Sequence, residues 1–376
     1  MYQVLDSYRR FDQKNNMVYR PEWDPSLHHM VQERQEGQLR QIERGIIGYG
    51  LKDFALTSST AVLARSLGTG INKANSGLTS WAPLSLEKSI KFPEEKSPVT
   101  DAKMMTDQIR RVARYIGADL VGITKLDMRW VYSHHFMAAT GESKPVEIDE
   151  RFKYVIVMGL EMNHDMMKTA PSALQNAETL RTYSRMAYTV SAVAQFIRLL
   201  GYNAIPALND TALSVPLAID AGLGQLGRQG LLITPQFGPR QRLCKVITDL
   251  PLLPDHPIEF GVTEFCSACL KCARECPSQA ISREGLTTDT SSISNNPGVM
   301  KWPLSAEKCR NYWSQVGTNC GICIRVCPFN KGKGLIHPPT RWLVKHAPWV
   351  DHTLLWMDDR LGYGKGLSPK LFWNAS

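Results

Sequence analysis

The sequence predicts a mixed α/β (α+β) protein, one core of helices and strands with a cysteine-rich module appended. Three observations predict it. The 376 residues exceed the roughly 100–200 of one ordinary domain. Residues 101–249 alternate helical and strand patterns. Eight of the nine cysteines lie between Cys266 and Cys327, and the first 243 residues hold none. A hydrophobic share of 43% and a charged share of 21% are those of a globular chain and exclude disorder or collagen-like repeats over most of it. The longest strongly apolar runs, Tyr154–Met162 and Leu231–Thr234, fall far short of the roughly 20 residues that span a bilayer.

Residues 1–100 are polar and loop-rich, with weakly helical stretches at Leu39–Ile47 and Ala61–Leu67, and read as a wrapping or lid segment. Arg9-Arg10-Phe11 looks like a twin-arginine signal, but Asp12-Gln13-Lys14-Asn15-Asn16 is too polar for its hydrophobic part. That fits either a cytoplasmic protein or one whose leader has been removed. Residues 101–255 form the core. Met105–Ile116 carries Ile109, Val112, Ala113 and Ile116 at helical spacing and stops at Gly117, before a strand over Ala118–Ile123. Tyr154–Met158 is a short β-branched run suited to a strand buried on both faces. A long helix over Ala177–Leu200 ends at Gly201, and strands follow at Ala204–Leu208, Leu231–Thr234 and Leu243–Thr248, the last holding Cys244 as an inert core residue.

Between them, Gly222-Leu223-Gly224-Gln225-Leu226-Gly227-Arg228-Gln229-Gly230 contains GxGxxG. A dinucleotide fingerprint needs strand, glycines and then helix, whereas here a strand follows. The glycines Gly222, Gly224, Gly227 and Gly230 fit either an ordinary tight turn or a backbone that a bulky flat cofactor approaches closely. Residues 336–376 carry Trp342, Trp349, Trp356 and Trp373, expected to pack an apolar tail back onto the core.

Residues 256–335 hold the chemistry. Cys266-x2-Cys269-x2-Cys272-x3-Cys276-Pro277 has the bacterial ferredoxin spacing for [4Fe–4S] binding. Three thiolates on one loop reach three corners of a cubane, and the fourth points to a second cluster. Cys320-x2-Cys323-x3-Cys327-Pro328 lacks the middle cysteine, which Cys309 supplies from eleven residues upstream. Crossed ligation then gives two [4Fe–4S] clusters, one from Cys266, Cys269, Cys272 and Cys327, the other from Cys276, Cys309, Cys320 and Cys323. A zinc ribbon also uses paired CxxC units, but explains neither the full run nor its partial repeat.

The net charge of +9, from 44 Lys+Arg against 35 Asp+Glu, is scattered, with Arg240, Arg242 and Lys245 its densest group. No phosphate-tracking stripe is present, so nucleic acid is not an expected partner.

Arg10-Phe11 through Trp23-Asp24, Leu126–Tyr132, Gly222–Arg242 with Thr248-Asp249-Leu250-Pro251-Leu252, both cysteine motifs and Met357–Gly364 together resemble the respiratory reductive dehalogenases. These are corrinoid and iron–sulfur enzymes that remove halogen from organohalides. The resemblance implies a nitroreductase-like corrinoid-binding core, with the ferredoxin-like two-cluster module inserted or appended. It implies a cobalamin held base-off, and this sequence has no Asp-x-His-x-x-Gly segment to supply a histidine to cobalt. It places the corrinoid against the glycine loop, makes Tyr183 the proton donor with Arg242 as basic partner and Asn209 as polar neighbour, and makes Trp313 a pocket wall. A guanidinium stabilises a phenolate, so an arginine beside it turns a tyrosine into a better acid. The implied reaction replaces chlorine by hydrogen in a small chlorinated alkane or ethene, using cob(I)alamin fed by the clusters. The implied partners are a low-potential electron donor and a small membrane-anchor protein, and a homodimer is compatible. The implied location is the outer face of the cytoplasmic membrane, peripheral, after removal of a twin-arginine leader.

Two other readings compete. An epoxyqueuosine-reductase-like enzyme shares the cofactors but acts on tRNA, and typically has Gly-Lys-Asn where this chain has Gly227-Arg228-Gln229. A non-catalytic electron-transfer protein would satisfy the cysteines but leave the residues ahead of them without a purpose.

Overall fold

The computed structural model describes residues 3–63, 79–81, 96–138, 140–332 and 337–374. Its strands are β1 Leu120–Lys125, β2 His134–Met137, β3 Glu142–Pro145, β4 Tyr154–Glu161, β5 Ala204–Ala207, β6 Gln225–Leu226, β7 Leu232–Ile233 and β8 Gln241–Thr248. The central sheet has the order β1-β4-β8-β5 and pairs antiparallel throughout. The core is therefore α+β, not a wound βαβ sheet, because β1 returns to β4 through the β2–β3 hairpin and not through a helical crossover.

Helices cover both faces of the sheet, which is why β4 reads as a continuous apolar run. Ile156, Met158 and Leu160 pack with Ile109, Met186 and Val190 of the helices Ala102–Ile116 and Ala173–Leu199. Val155 and Val157 pack on the other side with Trp130, Leu217 and Ile247. The first helix begins where the Asp101 side chain accepts from the backbone N–H of Lys103 and Met104, and ends at Gly117, whose φ of 132° disfavours a side chain. The long helix begins four residues before the apolar pattern suggests, because Ser172 caps it by accepting from the Gln175 N–H. Cys244 is fully buried in this core, and burial pushes its thiol up to about 12.

Three expectations are corrected. Leu231–Thr234 does not join the central sheet: only Leu232–Ile233 is strand, paired with β6 in a separate two-stranded ribbon. The N-terminal helices are His29–Glu43 and Leu51–Thr60, not Leu39–Ile47 and Ala61–Leu67, of which residues 64–67 lie outside the described residues. A polar helix positioned by a close crossing carries little apolar periodicity. Its Gly37 sits so near helix Ala306–Val316 that a Cβ would come 2.4 Å from the Ser314 carbonyl oxygen. Of the C-terminal tryptophans, Trp373 docks on helix Leu51–Thr60, donating from its indole to Asp53 Oδ1 at 2.7 Å, and the other three do not pack inward. Trp349 is 84% exposed, and Trp342 and Trp356 are also exposed. The opposite faces of helices His337–His346 and Asp351–Arg360 supply the packing, through Val344 and Leu355 against Phe265 and Cys269. These two helices thus rest on the cysteine-rich module, pinned there by Lys271 and Lys331 on Asp358, while the end of the tail returns to the rest of the chain, the Leu367 N–H donating to the Lys168 carbonyl.

Lys245 of β8 is fully buried, donating to the Leu208 carbonyl at 2.7 Å and to Ser214 Oγ at 3.0 Å. Burial lowers its pKa from 10.5 to about 8, against the opposing pull of Asp210. The unfolded chain therefore holds a proton that the folded chain has released between about pH 8 and 10.5, and stability should rise with pH across that window. Urea midpoints of parent and Lys245→Met, taken without oxygen, should diverge in the parent's favour as pH climbs from 8 to 10. A constant difference would rule out a depressed ammonium.

Gly224 is required by the fold itself. A Cβ there would lie 2.1 Å from the Ile233 carbonyl oxygen, where β6 and β7 pair. Gly224→Ala should cost about 1–3 kcal/mol through forced backbone shifts, and an unchanged urea midpoint would show that the ribbon yields freely.

Candidate functional site

A cavity of ≈ 720 Å³ opens beside the sheet, walled by the N-terminal segment, the loop after β5, the glycine turn and the stretch between the two cysteine motifs. The N-terminal segment reaches it because Arg10 donates to the carbonyls of Val131 and Val146, seating Phe11 beside Tyr132. Val18, Leu213, Ile219, Leu231 and Val299 make the walls largely apolar. Lys301 is the one charged side chain lining the cavity among the described residues; its ammonium donates to the Asn296 carbonyl, and burial brings it down to about 8.

Tyr183, Asn209 and Arg242 are brought together. Tyr183 projects from the long helix, and Asn209, in the loop after β5, donates from Nδ2 to the Tyr183 Oη at 2.6 Å. Arg242 of β8 stands with its guanidinium 5.3 Å from the centre of the Tyr183 ring, and its Nε is buried without a hydrogen-bond partner. Tyr183 and Asn209 line the cavity, whereas Arg242 stands behind the ring. Because the phenol oxygen accepts from Asn209, its own O–H is left to donate elsewhere.

Two further phenols, unforeseen in the sequence, line the same cavity. Tyr132 donates to the Asn209 carbonyl, and burial pushes both Tyr132 and Tyr19 upward. Those two are thereby held as neutral phenols. Of the three, Tyr183 has the Arg242 cation on its ring.

The glycines divide. Gly227 and Gly230 line the cavity, while Gly222 and Gly224 are outside its lining and are crowded by the chain's own backbone, at the carbonyls of His256 and Ile233. Trp313 also lies outside the lining, on helix Ala306–Val316 beneath the Arg310 guanidinium. Trp302 occupies the wall instead. It stands with Ile219 and Leu226 between this cavity and a second of ≈ 810 Å³, and its indole N–H is buried with no hydrogen-bond partner.

The cysteines gather in two groups. Cys266, Cys269, Cys272 and Cys327 line one small hollow. Cys309, Cys320, Cys323 and Cys276 lie within electrostatic reach of one another. The first group is assembled by Leu270, whose φ of 53° turns the chain sharply between helix Val262–Cys269 and the turn Lys271–Arg274. Burial pushes the thiols of Cys266, Cys272 and Cys309 up to about 12, so they would hold their protons until a metal's charge displaced them. Among the described residues no three such groups converge on one point as a single metal ion demands. Thiols spaced around a hollow suit a cluster that brings its own bridging sulfides.

Comparison with known proteins agrees with this geometry. Residues 140–252 match the family model described as reductive dehalogenase subunit, and residues 265–330 match a 4Fe-4S double cluster binding domain. The tetrachloroethene reductive dehalogenase of Sulfurospirillum multivorans is 41% identical over 320 residues, covering 78% of this chain and 63% of that protein. Its counterpart from Dehalobacter restrictus is 35% identical over 331 residues, covering 78% and 60%. The chain thus spans about three-fifths of the length of these curated relatives. The catabolic reductive dehalogenase NpRdhA superposes over 97% of this chain and 48% of its own, with a TM-score of 0.71 at 24% identity, a likeness of fold. By its core, its double-cluster domain and its relatives, this chain belongs to the reductive dehalogenase family.

Proposed function

We propose that this chain is the catalytic part of a corrinoid-dependent reductive dehalogenase, replacing chlorine by hydrogen in a small chlorinated hydrocarbon, an ethene or an alkane. The observation that carries it is Tyr183, held between Asn209 and Arg242 at the wall of an apolar cavity beside the double-cluster domain. The relatives named for tetrachloroethene favour the ethene.

The residues present fit a corrinoid. Two cavities sharing one wall offer the volume for a large flat ring and its appended chain, and Gly227 and Gly230 keep side chains off that surface. The unpartnered Trp302 indole N–H at the shared wall, and the side-chain carbonyls of Asn295 and Asn296 in the first cavity, offer polar partners to its peripheral amides. Bound there, a corrinoid would supply the two electrons that break the carbon–chlorine bond. The balance is R–Cl + 2e⁻ + H⁺ → R–H + Cl⁻, so the protein must deliver one proton and keep bulk water from competing.

Tyr183 delivers the proton from Oη to the carbon that chlorine leaves. The Asn209 N–H remains on the resulting phenolate, and the Arg242 charge stands at the ring to offset it. Tyr19 and Tyr132, kept protonated by burial, shape the site without competing as acids. The apolar walls select a compact uncharged substrate, and Lys301, already donating to a carbonyl, is the group that a phenolic substrate would have to recruit.

Cys266, Cys269, Cys272 and Cys327 would hold one [4Fe–4S] cluster, and Cys276, Cys309, Cys320 and Cys323 the other, together a relay from a low-potential donor. Among the described residues no helix is long and apolar enough to cross a membrane. The family reading adds peripheral attachment through a small membrane-anchor protein on the outer face, following a twin-arginine leader's removal.

Tyr183→Phe should retain iron and corrinoid and lose at least a hundredfold in chloride release with saturating reductant, the scale of a general acid. Parent-level turnover would refute the assigned donor. Cys309→Ala should lose the iron of one cluster, about four of eight atoms per chain, and full retention would remove Cys309 from the ligand set. Cobalt analysis of protein made with corrinoid available separates the enzyme from a pure electron carrier, which would bind iron alone.

A further inference from the structure

Immediately after the glycine turn, Arg228 and Gln229 line the hollow bounded by Cys266, Cys269, Cys272 and Cys327. Both are nearly sealed from solvent, at 3% and 5% exposure. Arg228 makes three hydrogen bonds, Nε to the Cys266 carbonyl at 3.0 Å and Nη1 to the carbonyls of Ser282 and Glu284, so no carboxylate neutralises it among the described residues. Its guanidinium also stacks 5.3 Å from the ring centre of Trp302, the wall of both cavities. Gln229 Nε2 is buried with no hydrogen-bond partner. An orphaned amide donor and an uncompensated cation are each costly in a protein interior. A ligand that is anionic and rich in sulfur acceptors relieves both.

We propose that Gln229 and Arg228 tune the iron–sulfur centre in this hollow, Gln229 by donating an N–H···S hydrogen bond to it and Arg228 by lending it an unneutralised positive charge. This rests on the two-cluster reading but not on the dehalogenation chemistry. Reduction adds one negative charge to the cluster. Both a positive neighbour and a hydrogen bond to sulfur favour the reduced form and raise the potential. Carbonyl anchoring fixes the Arg228 charge in place, and the same charge lies behind the cavity wall at Trp302, so cluster and cavity share one electrostatic support. The zinc-free, single-purpose alternative is that Arg228 merely ties the glycine turn to the 282–284 segment, in which case the charge itself is dispensable and Gln229 has no part.

The test is an EPR-monitored redox titration of the enzyme carrying both clusters, with signals assigned through Cys309→Ser, which alters the other centre. Gln229→Leu and Arg228→Gln should each lower the midpoint of the Cys266 cluster alone. At a fixed potential its reduced-to-oxidised ratio should drop about tenfold, ~59 mV for a one-electron couple. Arg228→Lys, which keeps the charge, should stay within about threefold of the parent. An exchangeable proton coupling in the ENDOR spectrum of that cluster should vanish in Gln229→Leu. Parent midpoints in both first variants, or equal shifts of both clusters, would overturn the proposal. If Arg228→Gln fails to assemble, Gln229→Leu decides alone. A parent enzyme with fewer than about eight iron atoms would instead defeat the two-cluster reading itself, a result distinct from an unmoved midpoint.

Discussion

The antiparallel register of β4 against β8 is the constraint on which the site depends. Leu160 faces Arg242, Met158 faces Cys244 and Val157 faces Lys245. Side chains alternate along a strand, so Arg242 and Cys244 share the face that meets the long helix, while Leu243, Lys245 and Ile247 share the other. A slip of one residue would exchange the two faces. Arg242 would leave the Tyr183 ring, and the Lys245 ammonium would exchange the Leu208 carbonyl and the Ser214 hydroxyl for a layer that includes Met186 and Val190. The apolar run of β4 does more than fill a core: it fixes the cation behind the phenol.

The cysteine-rich module is not simply attached to that core. The chain between Cys276 and Cys309 carries Asn295, Asn296, Lys301 and Trp302 into the cavity wall, and Val299 bridges back to Val4 of the N-terminal segment. Crossed ligation would require both cysteine motifs to close together, and that closure would hold this intervening stretch in place. Loss of one thiolate should therefore disturb the cavity as well as a cluster. The tail supports the same region from outside, through Asp358 on Lys271 and Lys331.

What the sequence revealed follows from the range of the interactions involved. Thiolate spacing is a local property, so the two groups could be read from intervals alone, as could Gly117 as a helix end, whereas the Asp101 cap put the start of that helix three residues before the Met105 that the apolar pattern gave. Tyr183, Asn209 and Arg242 carry no local signal; they come from three separate elements and were named through resemblance. Tyr19 and Tyr132 lie in stretches that carry the resemblance but were given no role, Trp302 lay in none, and the packing of the N-terminal segment and the inter-motif stretch reveals all three. Gly222 and Gly224 misled because a glycine demanded by the chain's own backbone looks the same in sequence as one demanded by a ligand. Trp342, Trp349 and Trp356 misled because their number says nothing of the helix face they occupy, and it is Val344 and Leu355 that are buried.

In the proposed reaction, reduction and protonation of one carbon would come from different sides of the cavity. The proton would come from the sheet and long helix, where Asn209 and Arg242 meet Tyr183. The electrons would come from the cysteine-rich module, whose inter-motif stretch lines the cavity together with the glycine turn. The interior between them is apolar, and its ionisable groups are engaged: Lys245 by Leu208 and Ser214, Lys301 by Asn296, Arg228 by three carbonyls. Of the groups at the cavity wall, Tyr183 joins an amide on its oxygen to a guanidinium on its ring, which is why the proposed reaction takes its proton from there.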